Sequence, residues 1–503
     1  MRILVAPALV LLAVPVPGQR LLHTHTLPLN WNIQKMRSAG DANGDGHPDV
    51  AAFVLDYSVP GTPIPYLMAI SGLTGMPLYS VPDMALQSFN DVLGFGDVNN
   101  DGRSDIAIVL STGLRVYSGA NGSLLYASAP PASQGYMSGA AIGDYNVDGR
   151  ADLAIASYDN GNTTVRVVRG ENGAQLANLG ATPNNNSEVT IRSMGDLNGD
   201  GKQEVAIAIP NGAASVLHGT SGAVLWAVSP PVPGTGRTIE TLDLDGDGKR
   251  ELFFLRPQIG PTLGLLTVHD PVTGAQLFAV TGSQTWGIGL TVAGLGDLEQ
   301  DGRADFALSF LPNSTRALSG ASGRRLWSLP GWQPGYPLRQ YVVGVGDVDA
   351  DGFGDFVQDA GDSYLGSVHL ISGKILADSQ PQAGACGAGP FFPQLGATRP
   401  ILGQTVTIAG QDGPPATPGI LAFSLQPATP VWLGASSCYA YFDLGGAIAL
   451  AALSQPQWSL SVPLPLVPQL AGFEIALQSW YAPTAGPLGY DLSNGVWARL
   501  GYQ

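Results

Sequence analysis

Cysteine, histidine and charge are all scarce in this chain: two cysteines, six histidines and 12% charged residues among 503. Basic residues are the scarcer sign, 23 against 39 acidic ones, for a formal charge of -16. No basic stripe exists to meet a phosphate backbone, so no nucleic-acid partner is expected. Six scattered histidines (His23, His25, His47, His218, His269 and His369) leave little for ordinary base catalysis. His218 stands where other repeats carry Ser or Arg, and both it and His269 read as repeat filler. No Gly-x-Ser-x-Gly elbow, phosphate loop or zinc-helix motif occurs. Long apolar runs are also missing after the first residues, so no transmembrane segment is expected. Gly (67) and Pro (39) are abundant, yet 45% hydrophobic residues make the chain too apolar for disorder. A folded, turn-rich chain is expected.

The one early apolar run, Ile3 to Val16 after Met1-Arg2, ends in Pro17, Gly18 and Gln19. A positive start, a run of about 14 apolar residues and small residues before Gln19 describe a secretory signal peptide over residues 1–18, and hence a secreted or cell-surface protein. In an exported chain the pair Cys386 and Cys438 is expected to form a disulfide.

One nine-residue pattern recurs seven times, with starts 56, 47, 52, 47, 54 and 50 residues apart. Its oxygen-bearing positions one, three, five and nine are Asp41, Asn43, Asp45, Asp49; Asp97, Asn99, Asp101, Asp105; Asp144, Asn146, Asp148, Asp152; and Asp196, Asn198, Asp200, Glu204. They continue as Asp243, Asp245, Asp247, Glu251; Asp297, Glu299, Asp301, Asp305; and Asp347, Asp349, Asp351, Asp355. Position six is always Gly, and a Gly precedes position one in six copies, with Leu242 in the fifth. A β-rich run leads into each loop and an apolar run follows it. A third run then ends at a turn such as Ser71-Gly-Leu-Thr-Gly75, and a fourth usually ends at Pro. Four short strands per repeat describe a propeller blade. A β-solenoid is the structural alternative, with usually shorter repeats.

Side-chain oxygens at positions one, three, five and nine, with a backbone carbonyl at position seven, can surround one hard cation when Gly at position six turns the chain back. That donor set, without His or Cys, selects Ca²⁺. An EF-hand would need an acid at position 12, where this chain has Ala52, Ile108, Ile155, Ile207, Phe254, Leu308 and Gln358. Glu299 is the hardest ligand to fit, which ranks the sixth site weakest.

The repeats resemble FG-GAP (VCBS) repeats, the blades of the seven-bladed propeller of integrin α-subunit heads and of many secreted bacterial proteins. The resemblance covers roughly residues 20 to 380. It implies that each loop joins the first two strands of a blade and holds calcium on one face of the disc, up to seven ions in all. The expected architecture is all-β: a signal peptide (1–18), a seven-bladed β-propeller with calcium-binding loops (19–380) and a small β-sandwich (381–503). Either Leu21–Pro28 or Ile375–Asp378 is expected to complete the seventh blade. The aromatic residues after Gln380, among them Tyr441, Trp458, Tyr481 and Trp497, are expected in a core rather than on a carbohydrate platform.

The proposed ligands account for 24 of the 39 acids, so the net charge resides mostly in sites rather than on a general acidic surface. The expected function is a monomeric, non-catalytic adhesion or interaction module for an extracellular protein or glycan. The alternative is a polysaccharide-active hydrolase or lyase on the same scaffold. Convergence of unassigned acids, Arg and aromatics in one central funnel would favour the enzyme.

Overall fold

The computed structural model describes residues 19–503 except 132–133, 160, 184–188, 210–212, 229–237, 257–263, 283–286, 312–313, 331–340, 362–365, 383–384, 386–392, 426, 434–438, 443–446, 483 and 485–490. The proposed signal peptide, Cys386 and Cys438 lie outside the described residues. Among the described residues no helix is long and apolar enough to cross a membrane.

Seven four-stranded antiparallel sheets follow one another along the chain. Their innermost strands are Trp31–Gly40, Phe89–Gly96, Gly135–Ala141, Thr190–Gly195, Thr238–Leu242, Gly287–Gly296 and Val342–Gly346. The second strand of a blade is covered on both faces by neighbouring blades, so it is a continuous apolar run rather than an alternating one. Asp105–Leu110 and Glu251–Arg256 are buried at every position. The outermost strands alternate, as Pro77–Pro82 does between half-buried and exposed positions, because one face meets solvent.

Seven apolar clusters lie between successive blades. Phe53 and Leu67 of the first blade pack with Ile106 and Ile108 of the second. The later junctions are built the same way. The last cluster joins Val343, Val357 and Leu370 of the seventh blade to Ile33, Met36 and Val50 of the first. The disc therefore closes as a seven-bladed propeller.

Closure is made by the N-terminal candidate. Leu21–Thr26 pairs antiparallel with Gly366–Ile371 as the fourth strand of the seventh blade, and the Leu27 amide continues the pairing to the Gly366 carbonyl at 2.9 Å. The competing segment goes elsewhere: Leu376 bridges Tyr502, and Asp378–Pro381 pairs with Val496–Arg499. The C-terminal part thus recruits chain from about residue 375 rather than 381.

That part contains a sheet in the order Asp378–Pro381, Val496–Arg499, Glu474–Tyr481, Gly419–Ser424, Ile448–Leu453. A second sheet joins Gln394–Ala397, Thr405–Gln411 and Trp458–Pro463. The two share one cluster, with Leu395 and Ile408 against Leu421, Leu477 and Val496. Its aromatics are structural: Trp458 Nε1 donates to the Tyr481 hydroxyl at 2.9 Å, and Trp497 Nε1 to the Tyr441 carbonyl at 3.1 Å.

Because the N-terminal strand holds the ring shut, Leu27→Ala is expected to cost about 2–5 kcal/mol, while the neighbouring exposed Thr26→Ala stays within about 0.5 kcal/mol. Urea denaturation compares the two; equal losses would count against closure from the N-terminal side.

Candidate functional site

All seven loops join the first and second strands of their blades and so lie on one face of the disc. Gly before position one is left-handed, as at Gly40 (φ 70°) and Gly96 (φ 80°). In five blades a register shift falls at this Gly, the bulge that turns the strand into the loop. The fifth blade has Leu242 there and keeps its register, with Leu242 opposite Glu251.

Inside each loop the carboxylates organise the backbone. The position-one Oδ2 accepts the amide of the position-six Gly in all seven copies, at 2.7–2.9 Å. The position-five Oδ1 accepts the position-seven amide at 2.8–3.1 Å. Asn43, Asn99, Asn146 and Asn198 at position three accept the position-five amide through Oδ1, at 2.8–2.9 Å.

Position nine behaves differently. Asp49, Asp105, Asp152, Glu204, Asp305 and Asp355 are 0% exposed and Glu251 is 2% exposed. One oxygen of each accepts the position-two amide at 2.7–2.9 Å, which fastens the start of the loop. In six blades the other oxygen accepts, at 2.9–3.3 Å, the amide of the first Gly in the turn between strands three and four. These are Gly72, Gly119, Gly170, Gly219, Gly320 and Gly373. A Cβ on any of them would lie 1.8–2.4 Å from the position-eight carbonyl oxygen, so only Gly fits. The fifth blade carries Pro271, which has no amide to give. The sequence pattern held this signal as the recurring Gly, but only the folded blade puts it against the carboxylate.

Burial pushes all seven position-nine groups up, against the pull of their amides. Asp105 and Asp355 reach about 6 and Asp305 about 7.

The donor set can be tested against a hard divalent cation. Carboxylate oxygens of Asp243, Asp245 and Asp247 lie within 4.8 Å of one another, as do those of Asp347, Asp349 and Asp355. Asp200 and Glu204 converge likewise, joined by His218. His218 is therefore no filler: its Nε2 lies 3.8 Å from Asp200 Oδ2 and 3.3 Å from Asn198 Nδ2. A carboxylate oxygen has lone pairs to spare after one amide bond, so pinning and ligation are compatible. The fifth and seventh loops fit calcium as all-oxygen sites, and the first four share the same backbone cradle. The sixth does not: Glu299 is 5% exposed and turned onto Arg324, with Arg324 Nη2 2.5 Å from its Oε2.

A second cluster occupies the central channel, a cavity of about 1480 Å³ lined by the innermost strands. Asp91 lies 2.7 Å from Lys35 Nζ and 3.2 Å from Arg37 Nε, and accepts from Ser138 Oγ at 2.8 Å. Arg37 reaches Glu240 of the fifth blade at 3.5 Å, and Arg192 holds Glu240 through Nε and Nη2, both at 2.8 Å. Burial raises Asp91, but Arg37 and Lys35 more than reverse this and hold it below the usual carboxylate range.

Residues 97–155 and 196–254, each running from one loop through the next loop-bearing strand or its equivalent, match the family model described as FG-GAP-like repeat. The chain carries FG-GAP-like repeats. No curated protein matches it. Among solved structures, BBS1N in complex with ARL6DN, from a crystal soaked with lead, is 9% identical over 69% of this chain and 91% of that one, with a TM-score of 0.44. BamB from Moraxella catarrhalis is 12% identical over 70% and 99%, with a TM-score of 0.38. A protein of unknown function from Bacteroides caccae is 13% identical over 53% and 89%, with a TM-score of 0.34.

The buried position-nine carboxylates imply a pH dependence. A buried carboxylate raised above its unfolded value favours folding only while protonated, so its contribution is present below about pH 4 and lost as pH rises through 6–7. Metal-free protein is therefore expected to melt at a lower temperature at pH 8 than at pH 5. A melting temperature that rises with pH in the metal-free protein would contradict this account.

Proposed function

We propose that this is an exported, monomeric, calcium-stabilised propeller that serves as a non-catalytic interaction module for an extracellular protein or glycan. The supporting observation is the set of seven buried position-nine carboxylates, each below a ring of acidic or amide oxygens on one face. Anions gathered at that density repel one another, and a divalent cation relieves both the repulsion and the burial of charge. Calcium then acts on stability rather than on chemistry, and the partner is met by the face opposite or beside the metal loops. Residues 1–18 supply export and Cys386–Cys438 the disulfide suited to that compartment.

With calcium at ten times the dissociation constant of each site, linkage gives about 1.4 kcal/mol per site, or roughly 8 kcal/mol for the six loops other than the sixth. EDTA is accordingly expected to lower the melting temperature substantially, with elemental analysis finding several calcium ions per chain beforehand. An unchanged melting curve and no bound calcium would sink the reading. A glycan array on the purified protein then identifies the partner class.

A polysaccharide-active enzyme is the second reading, favoured by the convergence of Glu240, Lys35, Arg37, Arg192 and Tyr341 around one channel, with Asp91 buried behind Lys35 and Arg37. Weighing against it, Lys35 and Arg37 hold Asp91 below the usual carboxylate range, which leaves Glu240, pushed up to about 7 by burial against the pull of Arg37, without a second carboxylate to work with it. Turnover of acidic or neutral polysaccharides that disappears in Glu240→Gln would establish the enzyme. No turnover by the wild type keeps the binding module.

A further inference from the structure

Two departures from the repeat consensus meet in the sixth blade. Glu299 is the single Glu among the seven position-three residues. Arg324 follows the turn after strand three, where the first five blades have Met76, Ser123, Ala174, Ala223 and Ala275. Glu299 alone marks a weak site, and Arg324 alone suggests nothing. In the fold, Arg324 Nη2 lies 2.5 Å from Glu299 Oε2, and the same nitrogen donates to the Ala471 carbonyl at 3.3 Å. The guanidinium also sits 4.2 Å above the Phe473 ring.

The contacts continue around this point. Arg325 pairs with Glu474, and Gln469 Nε2 donates to the carbonyl of Gln300, the residue after Glu299, at 3.4 Å. Leu326, Trp327 and Leu329 of the sixth blade share a core with Leu402, Ala471 and Leu500 of the C-terminal part. Gly472 approaches so closely that a Cβ there would stand 2.6 Å from the Leu326 carbonyl oxygen. The seventh loop takes part through Phe353, whose ring lies 5.1 Å from that of Tyr502.

We infer that the sixth loop has exchanged its cation for Arg324: Glu299 and Arg324 form a latch that seats residues 375–503 on the sixth blade, and this loop does not take calcium as its neighbours do. The sixth loop has four acids, as many as the fifth and seventh. Yet among the described residues convergent three-ligand groups form at the fourth, fifth and seventh loops and not at the sixth. Its position-three oxygen faces a guanidinium, and a fixed positive charge beside the cradle repels a second one. Glu299 is buried and Arg324 partly so, and removing Arg324 leaves the Glu299 carboxylate as an uncompensated buried charge.

The part of this inference that concerns calcium rests on the calcium reading above; the latch itself does not. Two measurements on the full-length chain separate them. Calcium per chain is counted at limiting free calcium for wild type, Glu299→Gln and Asp245→Asn, the same position in the fifth loop. The expected result is an unchanged count for Glu299→Gln and a lower one for Asp245→Asn. A loss of one ion in Glu299→Gln overturns the assignment.

Hydrogen exchange in EDTA follows segments 326–329 and 473–481 in Glu299→Gln, Arg324→Gln and the double variant. Each single change is expected to speed exchange there by about tenfold or more, and the double to add little. Unchanged exchange, or fully additive effects, overturns the latch. If wild type holds no calcium at all, the calcium reading fails while the exchange result still decides the latch.

Discussion

In six of the seven blades a carboxylate buried at the ninth position of the loop fastens three pieces of chain to one another. Its own strand is the second of the blade. One oxygen holds the start of the loop that arrives from the innermost strand, and the other holds the turn that leads from the third strand to the fourth. Asp49 does this with the amides of Ala42 and Gly72. Burying an ionised acid is costly, and amide donors offset that cost only in part, as the upward pull on all seven groups records. The blade thus obtains its shape from a group that leaves it short of positive charge at one face. The acidic composition, the loop spacing and the suitability for a hard cation share this origin.

Charge is sorted by depth. The loop face carries most of the acids, with basic neighbours touching them, such as Lys374 3.6 Å from Asp351 and Arg20 3.0 Å from Asp349. The channel instead holds Lys35, Arg37 and Arg192 against Asp91 and Glu240, with Arg250 also in its lining, so cations outnumber acids in this belt of an otherwise acidic chain. Arg37 contacts acids from the second and fifth blades, so the belt also ties distant blades across the ring.

Much of this was legible in the sequence because the repeat is local. Position spacing, Gly at position six and the apolar run after each loop all act within one blade, and seven copies make each feature plain. What could not be read depends on contacts between blades or between repeats and the remainder of the chain. His218 looked like a variable turn residue until the turn was folded against Asp200 and Glu204. The Gly of each Ser-Gly turn looked like ordinary turn chemistry, although its amide faces a carboxylate more than ten residues earlier. The channel belt draws on residues of four blades that share no motif.

Local chemistry in the sequence was enough to determine an all-β chain of seven equivalent blades, each with an oxygen-rich loop on the same side. Spacing and turn chemistry act over a few residues and need no distant partner. Tertiary structure alone decided which end closes the ring. Leu21–Thr26 and Ile375–Asp378 were both short strand-like segments, and the choice went to the one whose apolar residues complete the cluster between the seventh and first blades. It also decided the fate of Glu299, whose partner is an arginine just after the turn between the third and fourth strands rather than the loop it belongs to. Pairing over such separations is set by packing and burial, which no local pattern encodes.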